Sequence, residues 1–322
     1  GLLRDQLDGR LDHHRERALR ADQETIQPAV LGQQVPFNAL EIVWDRRQLF
    51  WLCLLYLAFF IPFLFAAGFL VMAGVMFSWF SQVIRENLAG LNNAQLKRSY
   101  VWGMGWFIFS EVMFFAAFFG ALFYVRVLAL PELGAGNNSE LLWGGFKSEW
   151  PLMTTPDMVV RGEGATHVGP EGNMSNPGIG GWLGWLPFWN TAILLASSFT
   201  VHFAHTAIKK DDKKKFNIWL GVTVVLGIAF LILQVEEYIH AYQDLGLTLN
   251  SGIYGATFFM LTGFHGAHVT MGTFMLLVMF LRSTLKGHFN HKDCFGFEAA
   301  SWYWHFVDVV WLGLFIFVYI LS

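Results

Sequence analysis

101-VWGMGWFIFSEVMFFAAFFGALFYVR-126 is an apolar run of transmembrane length with one acid, Glu111, in its interior. An ionised carboxylate at the centre of a bilayer costs roughly 2.5–3.5 kcal/mol on insertion scales, so Glu111 should face protein, water or lipid headgroups and not lipid tails. Such a residue is a functional candidate by default. The plain structural alternative is a glutamate hydrogen-bonded between helices.

Runs of this kind recur along most of the chain. Of 322 residues, 55% are hydrophobic, 17% aromatic and only 14% charged, where a soluble domain would carry about a quarter charged. Helices or closed barrels alone can span a bilayer, and the roughly ten-residue alternation of barrel strands is absent. The fold class is therefore an all-α polytopic membrane protein. Five later spans read clearly, at 101–126, 184–208, 216–239, 252–281 and 298–321. The earlier run, 48–83, contains Pro62 as a point of breakage. It reads as a firm span at 62–83 preceded by a short or partial one at 48–61. Seven spans are expected, six firm and the first atypical.

Loop charges set the orientation. Arg85, Lys97 and Arg98 lie in 84–100, five lysines in 209-KKDDKKK-215, and Arg282, Lys286 and Lys292 in 282–297. The alternate loops carry few or none, so the basic loops are cytoplasmic or matrix-facing and the C-terminus is outside. The first 48 residues hold seven arginines and would prefer the inside, although eight acids balance them. That preference needs an odd number of spans and argues that 48–61 crosses or enters the membrane. Residues 1–47 read as a polar tail or interfacial helix, 48–83 as leading helices, and 84–322 as the main bundle. The connection 127–183 is rich in Gly, Pro and Asn, and its length suits a cover for a partner or an outer face. No secretory signal pattern opens the sequence.

Three groups of residues could carry chemistry. His202 with His205, and His265 with His268, are spaced i, i+3, which puts both rings near one helix face where they could hold a metal or heme. His240 and His305 are further candidates. Histidines that pack and hydrogen-bond between membrane helices are the commoner case. Glu111, Glu236, Glu237, Glu298 and Asp308 lie within or at the ends of spans and could relay protons or tie helices together. Trp79 and Phe80 stand beside Arg85 in 79-WFSQVIRE-86, a pattern for an interfacial anchor or a lipid phosphate contact. Cys53 and Cys294 suggest neither a disulfide framework nor a zinc site. Basic residues sit only at loop ends, so no nucleic-acid partner is expected. No nucleophile–base arrangement or phosphate loop is present, so no catalytic residue is assigned.

Several long motifs in one order resemble subunit III of heme–copper cytochrome c oxidases, in the bacterial aa3-type form. They are 83-VIRE-86, 107-FIFSEVMFFAAFFGALFYVR-126, 190-NTAILLASSFTVHFAHTAI-208, 251-SGIYGATFFMLTGFHGAHVTMGT-273 and 295-FGFEAASWYWHFVDVVWLGLFIFVYIL-321. The resemblance runs from about Pro62 to the end, broken mainly in 127–183. Residues 1–61 lack that family's usual first helix with its Trp-Pro entry.

The resemblance implies two leading helices splayed from five others, with phospholipid in the V-shaped cleft between them. Trp79, Arg85, Glu86, Arg282 and His288 match positions associated with lipid headgroups. Glu111 matches the buried carboxylate that carbodiimides modify, and Glu237 with Tyr238 matches a Glu-Tyr pair. Glu236 has no family role. The resemblance also implies no cofactor or metal on this chain, with heme and copper held by subunits I and II, the expected partners alongside cytochrome c and phospholipid. It implies support of subunit I, proton uptake and a lipid route for oxygen, in a bacterial inner membrane with a periplasmic C-terminus; a mitochondrial inner membrane is the other setting. The competing readings are subunit III of a quinol oxidase and a stand-alone membrane metal or heme protein using the histidine pairs.

Overall fold

Six helices in the described residues are long and apolar enough to cross a membrane. They are α1 (Arg46–Leu88), α2 (Ala94–Phe123), α3 (Leu186–Lys209), α4 (Lys213–Gln243), α5 (Gly252–Lys286) and α6 (Phe295–Leu314). A computed structural model describes residues 46–135, 137–170, 184–290 and 293–321. α2 continues through a π-helical turn at Tyr124–Ala129, and α6 through another at Phe315–Ile320. The chain is an all-α polytopic membrane protein. The tail reading for residues 1–47 falls almost wholly outside the described residues.

The chain divides into two compact units, Gly1–Val83 and Ile84–Ser322. In the first, α1 runs through Pro62 without a break. This corrects the expected division at 61/62, and with it the seventh, separate crossing at 48–61. Proline removes one backbone donor, but ending a helix in hydrocarbon would strand several backbone groups with no water to receive them. The charge balance ahead of α1 was too even to demand an extra crossing.

In the second unit α3, α4, α5 and α6 form a ring, each packed on the next and α6 on α3, while α2 lies against α5 and α6. Trp304 and Trp311 of α6 are fully buried at its centre. Their indole N–H groups donate to Ser197 Oγ and Thr191 Oγ1 of α3, both at 2.9 Å. A buried indole needs such a partner. Trp304 is also seated against two glycines. A Cβ on Gly272 of α5 would lie 2.9 Å from its Cε3, and one on Gly227 of α4 2.9 Å from its Cη2. Close helix approach through small residues is the usual packing mode where hydrocarbon gives no hydrophobic drive.

Helix ends are fixed locally. Asn93 caps α2 by accepting the Leu96 N–H at 2.8 Å, and Asp212 caps α4 by accepting the Lys215 N–H at 3.1 Å. α5 ends at Gly287, whose φ of 64° is the left-handed conformation that glycine adopts without strain.

The connection between α2 and α3 has its own structure. Leu130, Phe146 and Leu152 form a small core, and Trp150 packs edge-on against Tyr254 at the start of α5, 5.3 Å between centroids. Thr155 caps the short helix Pro156–Arg161 and donates to the His167 carbonyl. Asp157 accepts the N–H of His167 at 2.9 Å, the N–H of Thr166 at 2.8 Å and the Thr166 hydroxyl at 3.1 Å, and pairs with Arg161 at 3.1 Å.

Gly272→Val should destabilise the bundle by about 1–3 kcal/mol, the usual cost of overpacking a tight core. Gly266→Ala, where nothing lies within 4 Å of the added carbon, should be tolerated; unfolding in detergent compares the two. The Asp157 carboxyl is held down to about 2, chiefly by the His167 N–H. A depressed carboxylate pKa gives stability that is present above the unfolded value, about 4, and is lost as pH falls through the folded one. Amide exchange at Thr166 and His167 should stay slow at pH 4 and quicken towards pH 2, and Asp157→Asn should remove that dependence.

Candidate functional site

Glu111 meets His268. Its Oε2 lies 3.0 Å from His268 Nε2, joining α2 to α5, while His268 Nδ1 lies 2.6 Å from the Phe264 carbonyl oxygen. A carbonyl only accepts, so Nδ1 carries a proton. One further proton then lies between Nε2 and the carboxyl oxygen. Whether written as neutral acid and imidazole or as carboxylate and imidazolium, the pair holds the same number of protons and no net charge. Phe114 and Phe115 flank the imidazole at 5.8 and 4.9 Å. Glu111 therefore faces protein, as its cost in lipid demands.

The two histidine pairs split apart. His265 is fully buried among Phe230 and Trp311, at 5.8 and 5.1 Å between ring centroids, while His268 turns to Glu111. His202 is exposed, and His205 meets Glu298 at 3.2 Å. Among the described residues no three His, Cys, Asp or Glu side chains converge on a point that could hold a metal ion. The i, i+3 spacing puts two rings on neighbouring lines of a helix, and here each line faces a different neighbour.

Of the other intramembrane acids, Glu298 is also tied across helices, while Asp308 and Glu237 meet neighbours on their own helices. Glu298 of α6 pairs with Lys209 of α3 at 2.5 Å as well as with His205. Ser198 of α3 lies 3.0 Å from His305 Nδ1 of α6, and Asp308 Oδ2 lies 3.5 Å from the same nitrogen. Glu237 is buried at the far end of α4, accepting from Gln234 Nε2 of the same helix at 3.2 Å. Tyr238 instead pairs with Thr262 of α5 at 2.7 Å, and Glu236 is exposed. The Glu–Tyr pair thus serves two different contacts.

Of the five headgroup candidates, Arg282 and His288 flank the Gly287 turn. The Arg282 guanidinium stands over the Phe289 ring at 4.8 Å, and its Nε and the buried His288 Nδ1 have no hydrogen-bond partner among the described residues. Burial, then the nearby Arg282 and Lys286 charges, hold the His288 pKa below its ordinary value. Arg85 and Glu86 lie in the last turn of α1, on the Ile84–Ser322 side of the unit boundary. Just beyond them Asn87 donates to Asp293 at 2.5 Å, fixing this turn to the one before α6. Trp79 belongs to the other unit, its ring 5.3 Å from that of Phe80.

The chain matches the family described as cytochrome c oxidase subunit III over residues 43–155 and 183–322. It belongs to that family. The match reaches upstream of Pro62, where the resemblance read from motifs stopped, and so takes in the whole of α1. Among curated relatives, cytochrome c oxidase subunit 3 of Drosophila melanogaster is 41% identical over 258 residues, covering 80% of this chain and 82% of its own. The protein of the same name from Dugong dugon is 38% identical over 245 residues, 76% and 78% of the two chains, and that from Equus caballus 36% over 257 residues, 80% and 83%.

Motif reading found Glu111 but not its partner. His268 stood in the sequence as half of a histidine pair, and helical spacing says nothing of which neighbouring helix a ring will meet. A double-mutant cycle with Glu111→Leu and His268→Leu checks the bond. Each single change leaves one buried polar group unpaired at about 1–3 kcal/mol, and the coupling should be about 1–2 kcal/mol. Additive losses would show that the two groups do not interact.

Proposed function

We propose that this chain is the non-redox subunit III of a proton-pumping heme–copper oxidase that passes electrons from cytochrome c to dioxygen. Family membership across both halves of the chain carries this reading. Heme and copper, in this reading, are held by partner subunits I and II, and this chain stabilises subunit I, sustains proton uptake and keeps a lipid-lined way open for oxygen.

The charge of the basic loops supports a C-terminus on the outer face of this multi-pass protein, which in our reading is the periplasm of a bacterium with the chain in its plasma membrane. The bacterial setting is supported by the outer connection, of which residues 156–182 fall outside the family match. Arg282 and His288 are the residues we assign to a phospholipid phosphate at the inner rim, with Arg85, Glu86 and Trp79 as further headgroup contacts. The guanidinium Nε of Arg282 and His288 Nδ1, neither with a partner among the described residues, form a ready pair of donors once His288 is protonated, and a phosphate would draw that proton on.

Removing the chain from the purified complex should leave heme and copper content unchanged, while activity falls more steeply with rising pH and the enzyme inactivates during turnover. Loss of a heme with the chain would overturn the reading. Arg85→Ala with Arg282→Ala should lower the anionic phospholipid that copurifies, measured by mass spectrometry of the extracted lipid. Unchanged lipid would remove the headgroup assignment and leave the subunit assignment standing.

A further inference from the structure

Along its outward side α6 presents Trp302, His305, Val309 and Leu312, one residue every three or four. Three are apolar, as lipid would require. His305 is not, yet its side chain is 41% exposed ten residues into the helix. Its Nδ1 is engaged by Ser198 and Asp308, while its Nε2 meets no partner among the described residues. Because serine and aspartate approach the same ring nitrogen, the cluster is no Ser–His–Asp relay, in which they would hold opposite nitrogens. It leaves one polar atom of a buried-depth ring facing out of the bundle, where hydrocarbon offers nothing to bond.

Seven residues before His305 on α6 is Glu298, and seven beyond Ser198 on α3 is His205; these two meet as well. The two contacts are thus rungs on one α3–α6 seam, about 10 Å apart at 1.5 Å per residue. In the rung nearer the basic loops Lys209 and His205 are the more exposed groups, at 48% and 37%, over Glu298 at 22%. The outermost groups of the seam are therefore basic at its end, with the Glu298 carboxylate beneath them, and at mid-span His305 Nε2 stands without a partner among the described residues.

We propose that the α3–α6 seam is the face on which a transmembrane helix of a partner subunit packs. That helix carries a hydroxyl or amide side chain level with His305 Nε2, which suits either imidazole tautomer, and an acid about seven residues away at the Lys209 end. Charge argues for this occupant. Lipid tails supply no hydrogen bond at the level of His305. A second copy in parallel would set Lys209 and His205 against their own kind. The proposal rests on the chain being an oxidase subunit, and it names which of its faces meets the complex.

The test uses the whole complex with p-benzoyl-phenylalanine in place of Val309, which is 67% exposed on the same stripe and leaves His305 intact. Irradiation should join this chain to one other polypeptide of the complex. Adducts with lipid alone, or with a second copy of this chain, would overturn the proposal. A chain that fails to copurify with the oxidase at all would instead overturn the reading of its function. In parallel, His305→Leu should reduce retention of the chain during detergent purification severalfold while His305→Gln retains it. A lipid-facing position would tolerate Leu as well as or better than Gln, and that result counts against a partner helix.

Discussion

Trp304 fixes the relation of four helices at one place. Its ring fills the room left by Gly227 and Gly272, and its N–H goes to Ser197, so α6 is held to α4, α5 and α3 at once. In water such a core would be driven together by burial. In lipid, where tails are as apolar as the side chains, contact quality and satisfied hydrogen bonds must do it. The rest of the bundle follows: Trp311 repeats the arrangement two turns further along with Thr191, and the carboxylates cross to the adjacent helices from positions set by this register.

The polar residues within the spans share one logic. Glu111 crosses from α2 to α5, Glu298 from α6 to α3 and Tyr238 from α4 to α5, each tying two helices together. These links also explain why α2, with little of its own surface buried, is held in place. Among the described residues the scarce polar groups of the spans go to geometry, joining one helix to the next.

How much of this was legible differs from residue to residue. The apolar runs gave the helical class and the six firm spans, because length and absence of charge are local properties. The demand that Glu111 face protein was legible for the same reason. Its partner was not, since His268 could be assigned to Glu111 only once α2 was laid against α5. Pro62 misled because a breaker in water is tolerated in a helix that has no better option. The cage around Asp157 had only a Thr-Pro-Asp start to signal it, and the glycines that seat Trp304 look like any others among the 32 in the chain. The approach of His288 to Arg282 needed the left-handed Gly287 to turn the backbone, although a glycine after a long apolar run is a fair sign of a helix end.

The one-proton bond between Glu111 and His268 has an electrical side. A membrane voltage acts on charge at about 2.3 kcal/mol per elementary charge per 100 mV. A pair whose total charge is zero in either tautomeric form gives that field almost nothing to pull on; only the short step of a proton from oxygen to nitrogen moves along it. Neither an isolated carboxylate nor an isolated imidazolium at this depth would be so indifferent. By holding acid and base in contact, α2 and α5 can keep their packing unchanged whether the membrane is energised or at rest.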